Sequence, residues 1–286
     1  GHNILGQGVH LPVSEGRVDC LDCHGAAPHK DSKLNNHALD VACQTCHIPT
    51  FSRQMPTKMD WDWSTAGNRT IGADGVSTTT VGGDTVQIYN YMKGDFIWKK
   101  GVQPEYGWYD GRVERLTLTD AYATGEGTKT KPIQLSKLVA AKTDSSAKIF
   151  PFKVMKGRQP VDTTTRLVLS PKLFGPGGFW GAIPAATAYK AQDVEDLWTS
   201  SLTAGALVAK QIKTGETFTG RAKGAKPWDW AYTSMWMGLN HEVAPKAKAL
   251  GCTSCHGSST GNWNWTALGY TCDPMNDATK CGSRHK

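Results

Sequence analysis

The segment Cys43-Gln44-Thr45-Cys46-His47 decides how this chain is built, because its pattern, Cys-x-x-Cys-His, occurs three times. The other copies are Cys20-Leu21-Asp22-Cys23-His24 and Cys252-Thr253-Ser254-Cys255-His256. The pattern is the attachment signature of c-type haem, in which two thiols add to the porphyrin and the next histidine ligates the iron. Zinc sites and thioredoxin-like pairs also use Cys-x-x-Cys, but neither needs that histidine three times over. We therefore predict three covalently attached haem c groups, held by Cys20, Cys23, Cys43, Cys46, Cys252 and Cys255, with His24, His47 and His256 as proximal iron ligands.

Composition indicates a folded chain without a membrane-spanning segment. The 286 residues are 39% hydrophobic and 20% charged, which suits one large domain or two ordinary ones. No run approaches the roughly 18 apolar residues that a transmembrane helix needs. The formal net charge of +7 is spread along the chain without a Lys/Arg block. Nucleic acid is therefore not expected as a partner.

Neither histidine nor cysteine occurs between residues 48 and 240, which divides the chain into three parts. We expect a two-haem N-terminal segment at 1–50, a haem-free middle region with a small strand and helix core at 51–240, and a one-haem C-terminal segment at 241–286. The predicted fold class is a multihaem cytochrome c. Such a chain would be mostly irregular, with short helices, a few β-strands and a core built around the haems.

Local patterns place a few elements. Turn residues and β-branched runs predict strands within 72–91. Apolar residues at helical spacing predict a helix from about Gln192 to Lys213, capped by Asp193. A second, short helix is expected to start with Pro245 and to end at Gly251.

The sixth iron ligand decides whether a haem carries electrons or binds substrate. Six histidines remain for three irons, so bis-histidine ligation of all three is the economical interpretation. Spacing from the motifs favours His37 and His241, then His29 and His10, as distal ligands. Each of these could instead be exposed or bonded to a propionate. His2 and His285 lie near the termini, where we expect mobile side chains. The alternative is that they reach a haem of a neighbouring subunit.

The two remaining cysteines, Cys272 and Cys281, have no histidine after them. Because haem c is attached outside the cytoplasm, where disulfides persist, we predict a Cys272–Cys281 bridge that staples the C-terminal tail. A redox-active thiol pair is the alternative.

Three blocks of sequence carry a resemblance to a known family. They run from Pro28 to Gly67, with Val41-Ala42-Cys43-Gln44-Thr45-Cys46-His47-Ile48-Pro49-Thr50 inside, from Ala147 to Pro160, and from Asn240-His241-Glu242-Val243-Ala244-Pro245 to Asp273-Pro274-Met275. In these blocks the chain resembles the C-terminal part of the octahaem tetrathionate reductase family. The resemblance implies an exported multihaem electron carrier or reductase, periplasmic or extracellular, whose leader is absent from this chain. The family's catalytic haem, with a lysine ligand, belongs to a region without counterpart here, so no catalytic residue is transferred.

Two functions of different class follow. The first is electron transfer between redox proteins or other cytochromes through three bis-histidine haems. A further hypothesis under this function is that the subunits form a head-to-tail homopolymer, which would be an extracellular filament. The alternative is a periplasmic reductase of tetrathionate or nitrogen oxyanions with one open haem iron. A third interpretation is a haem-bearing module of a larger complex. The sequence thus leaves enzyme activity open and favours an electron carrier.

Overall fold

The structure is a computed structural model that describes residues 20–218, 227–257, 263–277, 279–282 and 284. Within these residues, nine strands form one mixed sheet. The strands are β1 (Thr57–Asp62), β2 (Val76–Val81), β3 (Asp84–Asn90), β4 (Gly94–Lys99), β5 (Glu105–Tyr109), β6 (Val113–Arg115), β7 (Ile133–Leu138), β8 (Lys148–Asp162) and β9 (Trp228–Gly238). The helices are α1 (Cys20–His24), α2 (Ser32–Asp40), α3 (Cys43–His47), α4 (Phe179–Ala182), α5 (Ala191–Val208) and α6 (Cys252–Cys255).

The sheet is organised around β8, its longest strand. Its order is β2-β3-β4-β1-β8-β9-β7-β6, and β5 pairs separately with β8. The pairs β1–β8 and β7–β9 are parallel, and the other pairs are antiparallel. Strand β9 follows β8 from Phe152 to Asp162, while β5 pairs with its first five residues. Strand β8 therefore connects both halves of the sheet.

The sequence-based expectation of a few strands was too low. Strand β8 is the main omission, because Pro151 and Pro160 argue against a long central strand. Both prolines nevertheless lie within the strand, and their carbonyl groups accept hydrogen bonds from the amides of Leu239 and Leu169. The predicted strands within 72–91 are confirmed as the hairpin of β2 and β3. Its two-residue turn, Gly82-Gly83, has φ values of +57° and +92°, the positive pair that a type I′ turn requires.

The long predicted helix is present as α5, but its limits differ from the prediction. Lys190 is its N-cap without a side-chain cap bond, and Asp193 lies inside the first turn. The helix ends at Val208 because the following chain turns away, with Lys210 at φ +58°. The Gln211 side chain then bonds to the backbone of 118, 168 and 170. The short helix predicted from Pro245 is a 3₁₀ turn at Lys246–Lys248 that Pro245 precedes.

Buried side chains form the core of the described residues. The largest cluster joins the apolar face of α5 to the sheet: Trp198 stacks on Phe179 at 3.8 Å between ring centroids and meets Trp230 of β9 edge-on. A second cluster holds Trp108, Ala147, Ile149, Trp263, Leu268 and Tyr270. The sequence predicts a small strand and helix core for residues 51–240 beside a core built around the haems, and in the structure the sheet and α5 pack through their own side chains. No helix among the described residues is long and apolar enough to cross a membrane.

Candidate haem centre

Strand β8 positions the second Cys-x-x-Cys-His motif. The amide of Ala42 and the hydroxyl of Thr45 both donate to the carbonyl of Ile149, at 2.9 and 2.8 Å. Thr45 and the following Ile48 are fully buried. Helix α3, which consists of the motif itself, is therefore fixed on the sheet.

The third motif lies beside the second. The chain that leads to α6 runs along α3, where the Ala244 amide donates to the carbonyl of His47 at 2.7 Å. The Leu250 amide likewise donates to the carbonyl of Cys46 at 2.9 Å. Backbone hydrogen bonds thus tie the segment that leads to the third motif to the second motif, although the two motifs are far apart in sequence.

The thiols of this site have raised pKa values. Burial raises the pKa of Cys46, and the nearby Cys43 and Cys252 raise it further. Burial raises the pKa of Cys255 to about 12, with additional contributions from Cys46, Cys252 and Asp273. Reactive thiols of redox pairs have lowered pKa values, because the thiolate is the nucleophile. The environment therefore does not suit a thioredoxin-like pair.

The structure brings His29 and His47 together with their ring planes nearly parallel. Their ring centroids are 6.4 Å apart and their planes differ by 13°. Two imidazoles bound on opposite sides of one metal ion, each with a metal–nitrogen bond of about 2 Å, have centroids about 6.3 Å apart. This separation fits one iron between the two rings.

A second imidazole pair consists of His37 and His256. Their centroids are 6.2 Å apart and their planes are nearly perpendicular, at 78°. Each pair thus joins the proximal histidine of one motif to a histidine from residues 29–37. The pairing crosses the sequence order, since His37, close before the second motif, faces the histidine of the third.

Helix α2 positions the N-terminal member of each pair. Asp31 caps the helix by accepting the amide of Lys33, and His37 lies in its last turn. Asn35 accepts from the backbone amide of His29 at 3.0 Å and donates to its carbonyl at 2.8 Å. One short helix therefore places both rings.

Acceptors next to the Nδ1 atoms fix the tautomers of three rings. His37 Nδ1 lies 2.8 Å from the carbonyl of Lys33, and His29 Nδ1 lies 3.3 Å from Oδ1 of Asn35. His256 Nδ1 lies 2.6 Å from Oδ1 of Asp273. Because these oxygens accept, Nδ1 carries the proton and the lone pair of Nε2 is available to a metal. The donor set, two imidazoles beside paired cysteines, is the one that a covalently bound haem needs.

Asp273 is a residue of this candidate site that sequence reasoning did not identify. Burial alone would raise the pKa of this carboxyl group. The hydrogen bonds from His256 and from the amides of Met275 and Gly257 outweigh burial and bring the pKa below its usual value. Asp273 is thus an ionised partner of a proximal histidine. Its only sequence signal was its place in the block Asp273-Pro274-Met275.

The other predicted site residues lie as follows. Cys20, Cys23 and His24 form α1. The structure does not bring His241 into either imidazole pair; its side chain is exposed, and the next residue, Glu242, binds Arg53 and the amide of Ser52. Cys272 and Cys281 are joined by a disulfide with a Cα–Cα distance of 4.8 Å. His2, His10 and His285 lie outside the described residues.

Comparison with known proteins shows the family of the chain. Residues 58–259 match the sequence model of the family described as bacterial cytochrome c. The chain belongs to this family. Its structure is also similar to the crystal structure of octaheme cytochrome c from Shewanella oneidensis, with 34% identity and a TM-score of 0.73. The match covers 96% of this chain and 55% of that one, so the chain spans about half the length of this relative. None of the curated proteins matches the chain.

Membership of the family has a direct consequence for the cofactor. The chain is a multihaem c-type cytochrome, and its cofactor is covalently bound haem c. Proteins of this family are typically exported. The number of haems and the ligands of each are matters of proposal.

Proposed function

We propose that this cytochrome transfers electrons through three covalently bound haems, two of them ligated by the pairs His29/His47 and His37/His256. The observation that carries the proposal is the separation of 6.4 and 6.2 Å between the ring centroids of the two pairs. When bound, haem supplies one-electron exchange between ferric and ferrous iron. Two histidines that both ligate one haem iron would leave no position on it for substrate, which suits a carrier rather than an enzyme.

The contacts between α3 and α6 support transfer between these two sites. The backbone bonds from Ala244 to His47 and from Leu250 to Cys46 hold the motifs together. Electron transfer falls off steeply with distance, so neighbouring sites exchange electrons faster than remote ones. The haem-free middle region, in this proposal, is the scaffold on which β8 fixes the second motif.

The first motif completes the proposal. Cys20 and Cys23 attach the third haem and His24 ligates it, while His10 is the proposed distal ligand. We place the protein in the periplasm or outside the cell, where haem c attachment and the Cys272–Cys281 disulfide both suit an oxidising compartment. The reductase with an open iron, the head-to-tail homopolymer and the filament stay predictions of the sequence, and neither comparison supports a homopolymer.

Histidine variants test the proposal. His29→Ala and His37→Ala should each convert one low-spin haem per chain to high spin in the EPR spectrum of the oxidised protein, because each removes one axial ligand. His241→Ala is the matched control, since its ring belongs to neither pair. Haem content, measured by intact mass, should stay at three because the cysteines are unchanged.

Two results would contradict the proposal. One is an unchanged low-spin spectrum in both His29→Ala and His37→Ala. The other is loss of a low-spin signal in His241→Ala while His37→Ala keeps all of its signals. Either would mean that the imidazole pairs are not axial ligand pairs.

A further inference from the structure

We propose that Asp273, held by the disulfide-stapled tail, positions and polarises His256 and so lowers the reduction potential of the haem at the third motif below that of the haem at the second. The inference rests on the proposed function, because it requires haem at Cys252 and Cys255. The inference concerns the order of the two reduction potentials. This order sets the direction in which electron transfer between the two sites is favourable.

The Asp273 carboxylate is fixed in one orientation. Its Oδ1 atom accepts from His256 Nδ1 at 2.6 Å and from the amide of Met275 at 2.9 Å, and Oδ2 accepts from the amide of Gly257 at 2.8 Å. The side chains of Asp273 and His256 are only 10% and 15% exposed. A short hydrogen bond between a carboxylate and an imidazole, away from solvent, is strong and geometrically specific.

The disulfide holds the loop that carries Asp273. Cys272 precedes it directly, and the fully buried Cys281 places its sulfur 3.2 Å from the Asp273 carbonyl oxygen. The tail also contacts the helix that carries the opposite ligand, because Arg284 pairs with Asp40 at 3.3 Å and Asp40 lies in the same helix as His37. The guanidinium additionally donates to the carbonyls of Asp144 and Ala147. One segment thus contacts the elements of both ligands of this pair.

The charge of the Nδ1 partner differs between the two imidazole pairs. His29 and His37 face neutral oxygens, of the Asn35 amide and the Lys33 carbonyl. Of the three rings whose Nδ1 contacts are described above, His256 alone faces a carboxylate. An anionic acceptor draws the Nδ1 proton and raises electron density at Nε2, which strengthens donation to iron and favours the ferric state. The reduction potential is lower as a result.

The two sites can be observed separately by EPR. Nearly parallel imidazole planes, as in His29 and His47, split the two iron orbitals that interact with them and give a rhombic low-spin signal. Nearly perpendicular planes, as in His37 and His256, leave these orbitals close in energy and give a highly anisotropic signal with one large g value. A redox titration followed by EPR therefore reports each midpoint potential.

The test compares Asp273→Asn with Asp277→Asn. Asp277 lies in the same tail and accepts the amides of Thr279 and Lys280, but it does not contact His256 in the structure. In Asp273→Asn, the reduced-to-oxidised ratio of the large-g haem at fixed potential should rise about tenfold, an upward shift of about 59 mV for one electron. The rhombic signal should not shift, and Asp277→Asn should shift neither.

A measurement on the wild-type protein keeps the inference open to refutation if Asp273→Asn does not fold. In the wild-type protein, the large-g signal should titrate at a lower potential than the rhombic one. Where Asp273→Asn folds, Asp273→Glu, which keeps the anion, should lie closer to wild type than Asp273→Asn. Equal shifts in Asp273→Asn and Asp277→Asn, no shift in Asp273→Asn, or the reverse order of potentials in wild type would overturn the inference. Intact mass without haem at Cys252 and Cys255 would instead overturn the proposed function.

Discussion

The angle between the two imidazole planes distinguishes one histidine pair from the other. It is 13° for His29 and His47 and 78° for His37 and His256. The Nδ1 hydrogen bonds of His29, His37 and His256 restrict the rotation of these three rings. His37 is turned toward the Lys33 carbonyl one helical turn earlier, whereas His256 is turned toward Asp273. The two haem sites should therefore differ spectroscopically although their ligands are chemically the same.

At this scale the sequence predicts attachment but not pairing. Cys43, Cys46 and His47 are recognisable because the chemistry of attachment is local and its spacing is fixed. The pairing of His37 with His256 depends on backbone contacts of α3 with β8 and with the chain leading to α6, which spacing does not reveal. The same holds for Asp273, whose role follows only from its position against His256.

At the scale of elements, the Ser136 side chain supplies hydrogen bonds between β7 and β9 at the point where their register shifts. The parallel pairing of β7 and β9 shifts between Gln134 and Ser136. There the hydroxyl of Ser136 donates to the carbonyl of Trp236 at 2.9 Å and accepts from its amide at 3.0 Å. Ser136 is only 3% exposed, so water does not readily replace it.

Replacing this serine tests the contribution of the irregular pairing. Ser136→Ala should lower the free energy of unfolding by about 1–3 kcal/mol, because it leaves an amide and a carbonyl of Trp236 without the hydroxyl partner. Urea denaturation followed by circular dichroism measures the change. Ser200→Ala, on the exposed side of α5, is the control and should stay within about 0.5 kcal/mol of wild type. Equal midpoints for both variants would contradict this role of Ser136.

The elements also show what patterns in sequence can and cannot predict. The β2–β3 hairpin was predictable, because Gly82-Gly83 supplies the positive φ values of its turn locally. Strand β8 was not, since its two prolines suggest a break while distant partners stabilise the strand. The end of α5 was also missed, because the tertiary bonds of Gln211 turn the chain before the helical pattern ends.

For the whole molecule, the stapled tail joins parts of the chain that are remote in sequence. Lys142 donates to the carbonyl of Gly282 at 2.9 Å, and Arg284 contacts both Asp40 and the ring of Trp108. The Cys272–Cys281 disulfide restricts this segment in the unfolded chain as well as in the folded one.

Removal of the disulfide should therefore destabilise the protein. In the chain-entropy model, a loop of about ten residues contributes about 2.7 kcal/mol, so Cys272→Ser/Cys281→Ser should unfold at a correspondingly lower urea concentration. A reducing agent should lower the stability of the wild type in the same way and leave the double variant unchanged. A double variant as stable as the wild type would show that the bridge does not restrict the unfolded chain.

The central claim is that opposed histidines fill both axial positions at the second and third motifs. The most direct measurement is a low-temperature EPR spectrum of the fully oxidised protein, with haem quantified per chain. We predict a rhombic low-spin signal and a separate low-spin signal with one large g value, each accounting for at least one haem per chain. A high-spin signal from either of these two haems, or the absence of the large-g signal, would contradict the account.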